Sequence, residues 1–272
     1  MRIPFAQIDA FARQPFTGNP AAVMPLSAWL DDAELQAIAE ENNLSETAFL
    51  IPDASGESDF ELRWFTPAAE VVLCGHATLA SGHFVLSSDP ERARVTFRTR
   101  KAGQLAVARA AQGYELALPA WAPSPKPLPE ILEGLGLESA VETLWHPNRY
   151  GLIVVEDADI VRNLAPDFRK LAAQGDVLTI VTAPGDPGSE AGAGSDVISR
   201  VFACGAGIDE DPVTGSAHAV MVPYWAERLG RESFTAYQAS KRGGYLSCRL
   251  EGDRVVLGGQ CVTVIEGTFL LP

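Results

Sequence analysis

The spacing of apolar residues predicts a chain that opens with a strand, a turn and a helix. Residues 3–10 alternate apolar and polar side chains, which is typical of a β-strand with one buried face. A Gly-Asn-Pro turn follows at 18–20. The segment 28–43 then repeats its apolar residues at helical spacing and carries acidic side chains in its first turn, so we predict an amphipathic helix that ends near Asn43.

The remainder of the first half is predicted to be short strands around one apolar helix. Alternating or β-branched runs favour strands at 44–52, 59–65, 95–100, 103–109 and 114–119. The intervening run 75–86 is apolar on most sides and long enough for a helix. A proline-rich connector at 119–131 then separates this half from a second set of strands and helices. We therefore predict two domains, residues 1–118 and 119–272.

The second half repeats the strand, loop and helix order of the first. Arg63-Trp64-Phe65 and Arg200-Val201-Phe202 occupy corresponding strands, and Cys74-Gly75-His76-Ala77 and Thr214-Gly215-Ser216-Ala217 each precede an apolar helix. The repetition predicts two similar halves that face each other across a cleft. The last strands close the second half or return to the first, and the pattern leaves both possibilities open.

Composition narrows the class of protein and its partners. The chain has 272 residues, 47% hydrophobic and 21% charged, which suits a globular fold with a large core. Its formal net charge of −14 repels phosphate backbones and anionic lipids, so we expect neither nucleic acid nor a membrane as a partner. The amino terminus lacks the pattern of a signal peptide. The four cysteines show no CxxC spacing, and we expect reduced thiols in the cytoplasm.

Four features bear on the chemistry of the chain, and none of them is a metal-binding motif. Gly75 and Gly215 begin apolar helices whose free N–H groups favour an anion; an ordinary helix cap is the commoner explanation for either one alone, and the pairing of the two favours the anion site. Glu46 lies among apolar strand residues, where desolvation would suit an acid/base, and the alternative is a solvated strand face. His76 titrates near neutrality in its unperturbed state. The acidic run 209–211 favours the following helix through its dipole.

Four motifs resemble those of the PhzF-like isomerases of phenazine biosynthesis: GNPAAV at 18–23, NLSETAFL at 43–50, LCGHATLASGH at 73–83 and DEDPVTGSAHAV at 209–220. This family is similar in fold to diaminopimelate epimerase. The resemblance implies an α/β (α+β) protein of two pseudo-symmetric halves, each a curled, mostly antiparallel sheet around a central helix. It also implies an isomerase that moves a proton on a small carboxylate-bearing metabolite.

The resemblance further implies roles for individual residues. Glu46 is expected to transfer the proton as base and then acid, with His76 and Asp211 in support. Substrate binding is expected from Asn19, Gly75, Gly215 and Ser216. No cofactor or metal is implied, and the family habit suggests a homodimer.

Two alternatives stay open beside the isomerase. Diaminopimelate epimerase and its relatives use two opposed cysteines, and only Cys74 stands at such a position here, so an amino-acid epimerase or racemase would need another second group, for example His76. A non-catalytic protein that binds a metabolite would keep the cleft without the proton transfer. The segment 238–244 departs from the family pattern and is expected to shape the pocket.

Overall fold

A computed structural model describes residues 1–186 and 194–271. The chain divides into two compact units, unit 1 of Met1–Leu118 with Gly258–Pro272 and unit 2 of Pro119–Leu257. The segment 184–196 reads as a surface loop in the sequence, and its residues 187–193 lie outside the described residues. No helix in the described part of the chain is both long and apolar enough to cross a membrane.

Unit 1 contains eight strands and two helices in its first 118 residues and one further strand from the end of the chain. They are β1 (Arg2–Ala10), β2 (Asn19–Pro25), α1 (Asp32–Asn42), β3 (Glu46–Pro52), β4 (Phe60–Phe65), β5 (Glu70–Val71), α2 (Gly75–Ser87), β6 (Arg94–Thr99), β7 (Gln104–Ala110) and β8 (Gly113–Pro119), with β18 (Cys261–Leu270).

Neighbouring strands of unit 1 pair mostly antiparallel, from β18 through β1 to β2, from β3 to β4, and from β6 through β7 to β8. Two pairs are parallel, β2 with β3 and β4 with β6, because α1 and α2 return the chain in the same direction. Helix α2 packs against β1, β2, β3, β6 and β7. A helix that is apolar on most sides must be surrounded by protein, and nearly all of α2 is buried.

Unit 2 follows the same plan with more helices. Its elements are β9 (Ser124–Pro125), α3 (Pro129–Leu135), β10 (Glu142–His146), β11 (Tyr150–Val154), α4 (Ala158–Asn163), α5 (Phe168–Ala172), β12 (Leu178–Pro184), β13 (Val197–Ala203), a one-turn 3₁₀ helix (Cys204–Ala206), β14 (Ile208–Asp211), α6 (Gly215–Leu229), β15 (Ser233–Gln238), β16 (Gly244–Glu251) and β17 (Arg254–Gly259).

The strand pairs of unit 2 repeat those of unit 1. Strand β11 runs parallel to β12 and β13 parallel to β15, while β10–β11, β12–β13 and β15–β16 are antiparallel. Helices α4 and α5 make the first crossover and α6 the second, as α1 and α2 do in unit 1. The structure thus confirms the predicted mixed α/β class with few helices.

An ion pair recurs at the same place in each unit. The Arg63 guanidinium makes two contacts with Glu70, of 2.7 and 2.9 Å, and lies 4.9 Å from the ring of Phe65, two residues along β4. In unit 2, Arg200 makes contacts of 2.7 and 2.9 Å with Glu210 and lies 5.2 Å from the ring of Phe202. A planar guanidinium suits both a carboxylate and an aromatic face, which explains why the Arg-x-Phe pattern appears twice.

Some elements differ from the sequence prediction. Helix α1 begins at Asp32 rather than near residue 28, since Asp31 is an extended N-cap, and it ends where Asn43 adopts a left-handed conformation. Helices α4 and α5 were not predicted, because one or two turns of helix leave too few residues for a periodic pattern. Asp157 and Asp167 mark their starts by accepting hydrogen bonds from backbone N–H groups of the first turn.

Candidate active site

In unit 1 the two crossovers bring a carboxylate and an imidazole together. Glu46 is the first residue of β3, and the parallel register places it opposite Ala21, two residues after Asn19. His76 is the second residue of α2, which begins after the extended residue Cys74. The starts of a parallel strand and of the central helix therefore meet around one imidazole ring.

The ring of His76 is held on both sides. Its Nε2 lies 2.8 Å from Oε2 of Glu46, a close ionic contact whose alignment falls short of a hydrogen bond. Its Nδ1 lies 3.1 Å from Nδ2 of Asn19. An amide nitrogen only donates, so in this arrangement Nδ1 accepts and the ring proton is on Nε2, facing Glu46. A second ring proton would require an acceptor at Nδ1, which rotation of the Asn19 amide supplies.

The charges around His76 favour its protonated form. Burial lowers the pKa of His76, but the neighbouring Cys74 and Glu46 outweigh burial and raise this pKa well above the ordinary value. Burial also raises the pKa of the Cys74 thiol to about 11, so Cys74 is a neutral thiol at neutral pH. The charge that favours the imidazolium is therefore that of Glu46.

Cys74 lies beside the same ring. Its Sγ is 3.5 Å from Nδ1 and 3.9 Å from Nε2 of His76. Glu46, Cys74 and His76 each offer one ligand atom, and these atoms lie within 4.8 Å of one another, close enough for metal ligation. A metal would have to displace the Cys74 proton and the Nε2 proton, since thiolate and neutral imidazole are the ligating forms. Metal binding at these three residues would therefore be coupled to the release of protons.

In unit 2 a network of hydrogen bonds shapes the start of α6. The backbone N–H of Thr214, the N-cap residue, donates to Oε1 of Gln238 at 2.9 Å, and Nε2 of Gln238 donates to the carbonyl of Asp211 at 2.7 Å. The Thr214 hydroxyl donates to Oδ2 of Asp211. These contacts fix the turn that leads into Gly215 and so orient the first N–H groups of the helix.

Ser216 follows in the first turn of α6 and contacts an aromatic group. Burial raises the pKa of Tyr150, and the nearby Ser216 side chain acts in the opposite direction with a smaller effect. Trp121 stacks on His146 with ring centroids 5.7 Å apart, and its centroid lies 5.6 Å from that of Tyr150. The backbone N–H of Trp121 donates to a carbonyl of α6. Trp121, His146 and Tyr150 thus form a cluster of rings, of which Tyr150 is the member next to Ser216.

The predicted site residues fall into two groups. Unit 1 holds Asn19, Glu46, Gly75 and His76 around one imidazole ring, and unit 2 holds Asp211, Gly215 and Ser216 around Thr214. Sequence reasoning missed Tyr150 and Gln238 as partners of these groups. Gln238 ends a strand at the border of the segment that departs from the family pattern, which was its one available signal. Tyr150 gave none, because an aromatic residue at a strand start is ordinary.

Comparison with known proteins identifies the family and the fold. The family model described as phenazine biosynthesis-like protein, PhzC-PhzF, matches residues 8–267. An uncharacterized isomerase of Pseudomonas aeruginosa is 44% identical over 272 residues, with all of both chains covered. A crystal structure of a PhzF family protein from Enterococcus faecalis has 42% identity and a TM-score of 0.89, again over all of both chains. A predicted epimerase from Pseudomonas aeruginosa, 20% identical with a TM-score of 0.75 over 99% of this chain and 100% of its own, shares the fold.

Proposed function

This chain belongs to the phenazine biosynthesis-like protein family, and we propose that it is an isomerase in which Glu46 moves a proton on a small carboxylate-bearing metabolite. The proposal depends above all on the contact of 2.8 Å between Oε2 of Glu46 and Nε2 of His76. The curated relative with 44% identity carries the name isomerase, which supports the same class of reaction.

Glu46 can supply both halves of a proton transfer. As a carboxylate it accepts a proton from carbon, and as the resulting acid it returns a proton to another carbon of the same molecule. Only 12% of its side chain is exposed, so few water molecules reach the proton between the two steps. This accounts for an isomerisation that uses the chain's own side chains and no cofactor.

His76 has a supporting role in this scheme. Its positive charge offsets the negative charge of the Glu46 carboxylate inside a buried site, and Asn19 fixes the plane of its ring. Positioning of this kind lowers the barrier because the carboxylate does not have to reorient before it reacts.

The roles proposed in unit 2 concern binding. Gly215 and Ser216 open α6, and N–H groups at the start of a long helix suit a carboxylate. Gly75 opens α2 in unit 1 and is proposed to do the same there. Asp211 is proposed to act through Thr214. Its carboxylate accepts a hydrogen bond from the Thr214 hydroxyl and so keeps the turn before α6 in place.

Deuterium uptake from heavy water, followed by mass spectrometry, tests the proposal. The panel contains small cyclic and amino carboxylates, including dihydrohydroxyanthranilate, and compares the native chain with Glu46→Gln. Glu41→Gln is the matched control, because Glu41 is an exposed glutamate on α1 of the same unit. We expect exchange at a carbon-bound position in the native chain and in the control, and its loss in Glu46→Gln. Exchange that persists in Glu46→Gln contradicts the mechanism.

The same experiment separates the alternatives. Inversion of an amino acid without migration of the proton to another carbon would favour an epimerase, whose second acid/base would have to be a group other than His76, because His76 contacts Glu46 directly at 2.8 Å and leaves no room for a substrate carbon between them. A compound that raises the melting temperature but never exchanges would favour a binding protein. The proposal also includes a homodimer, and gel filtration checks it against a chain mass of 29.0 kDa.

A further inference from the structure

The side chain of Phe16 in unit 1 is unusually exposed to solvent. Its side chain is 75% exposed, more than any other large apolar side chain in the described chain. A single exposed apolar residue is common on protein surfaces, so exposure alone carries no argument. The backbone of Phe16 supplies a second, independent observation.

Phe16 adopts a backbone conformation that bulky residues avoid. Its φ is 71°, in the left-handed region, where a side chain on Cβ crowds the following carbonyl. The conformation persists because its backbone N–H donates to Oδ2 of Asp9 at 2.8 Å, and Asp9 is fully buried. An unfavourable backbone conformation is therefore maintained at a residue whose aromatic ring lies in water. Backbone outliers of this kind are concentrated at functional sites, including those that bind ligands.

The loop that carries Phe16 leads directly into the Glu46 site. The loop joins β1 to β2, and β2 begins at Asn19, whose amide touches the His76 ring. Three residues span at most about 10 Å, so the backbone of Phe16 lies within that distance of Asn19. Gly18 tightens the turn, since a Cβ there would lie 2.2 Å from the carbonyl oxygen of Ala10. The ring is thus held by a fixed loop beside Asn19.

We propose that Phe16 is a substrate-contacting residue of the Glu46 site, whose ring packs against the carbon skeleton of the bound metabolite. An aromatic ring presented in water gains stability when an apolar or planar surface covers it. The polar groups around Glu46 would then orient the charged part of the metabolite while Phe16 covers its carbon atoms. This inference rests on the proposed function, because it takes the Glu46 site as the place where the metabolite binds.

The test compares two replacements of Phe16 that tolerate a left-handed backbone. Phe16→Asn and Phe16→Gly both remove the ring, and Leu270→Asn is the control, because Leu270 is a similarly exposed apolar residue of the same unit. Each variant is measured without ligand by thermal unfolding. It is then measured with dihydrohydroxyanthranilate and the rest of the carboxylate panel by ligand-induced melting shift and by the KM of deuterium exchange.

We expect Phe16→Asn and Phe16→Gly to melt at or above the native temperature without ligand, since backbone strain is relieved. We expect the ligand-induced shift to fall to less than half and KM to rise about tenfold, the size of effect that one apolar contact has on specificity. The control should keep native values. A gain in thermal stability together with a loss of binding is a result that a purely structural Phe16 would not produce.

Several outcomes would overturn the inference. Unchanged ligand shifts and KM in Phe16→Asn would show that the ring does not touch the metabolite. If the mass of Phe16→Asn in solution is half that of the native protein, the ring belongs to an interface between two copies of the chain instead. Exchange that survives Glu46→Gln would reject the proposed function alone, and a native chain that binds no member of the panel would reject both proposals.

Discussion

The Nδ1–H of His218 donates a hydrogen bond of 2.8 Å to the backbone carbonyl of Thr214, one turn earlier at the start of α6. Its Nε2 is buried and has no hydrogen-bond partner within the described residues. Thr78 makes the corresponding contact in α2, where its hydroxyl donates to the carbonyl of Cys74 at 2.5 Å. Each central helix thus has a side chain that donates to its own N-cap carbonyl, but only His218 can titrate.

The buried imidazole of His218 predicts that the folded protein becomes less stable as the pH falls. Burial lowers its pKa to about 4, below the value near 6.5 that an ordinary histidine has in the unfolded chain. The unfolded chain therefore takes up this proton first, so the stability that His218 contributes is complete above about pH 6.5 and is lost as the pH falls toward 4. The shift corresponds to about 3 kcal/mol at most. We expect chemical denaturation to show that the free energy of unfolding changes less with pH in His218→Leu than in the native chain between these pH values. If the two proteins lose stability in parallel as the pH falls, the prediction is wrong.

The raised pKa of His76 predicts that activity is lost at high pH, whereas His218 affects stability at low pH. Because the pKa of His76 is raised, its positive charge is lost only as the pH rises through that value, and exchange should decline with it. His76→Asn should reduce exchange by about a hundredfold and remove this alkaline limb of the pH profile. His83→Asn is the control, since His83 lies on the same helix but bonds Tyr114 and Thr263. A His76→Asn profile with the native alkaline limb would exclude His76 from the reaction.

The cysteines should resist alkylation while the chain is folded. Burial raises the pKa of Cys74 and Cys204 to about 11, raises that of Cys261 to about 12, and raises that of Cys248 further. The thiolate is the reactive form, so iodoacetamide at pH 8 should modify the native chain slowly and the urea-unfolded chain at all four positions. Peptide mass spectrometry reads out each site.

Cys74 also separates the proposed mechanism from a two-thiol one. If Glu46 transfers the proton, Cys74→Ala should keep most of the exchange activity, because the thiol is neutral at neutral pH. Loss of exchange in Cys74→Ala with an unchanged melting temperature would assign the thiol a direct role.

Gly82 predicts how tightly α2 packs in unit 1. A Cβ at this position would lie 2.3 Å from Cγ1 of Val107 on β7, too close for any real contact. Alanine normally favours a helix by about 1 kcal/mol over glycine, but here overpacking should make Gly82→Ala less stable by about 1–3 kcal/mol. Urea denaturation checks the value. Gly267→Ala, in open space, is the control and should be close to neutral.

The local pattern of apolar and polar residues predicted much of the secondary structure. The alternation of apolar residues predicted strands where β3, β4, β7 and β8 lie, and the apolar run at 75–86 predicted the central helix of unit 1. The motifs identified the family, because they combine unusual residues at fixed spacing. These features depend on neighbours in sequence, and a single chain records them.

Only the tertiary structure decided which of these residues touch. The contact between Glu46 and His76 depends on the parallel register of β2 with β3, which no local pattern encodes. Strand β18 pairs with β1 across more than 250 positions, and the sequence left that return open. The approach of Tyr150 to Ser216 and the left-handed backbone of Phe16 also arise from packing. The sequence by itself determined the family and most strands and the central helix of unit 1, whereas the short helices α4 and α5 and the partners of each functional side chain follow from the free energy of the whole folded unit.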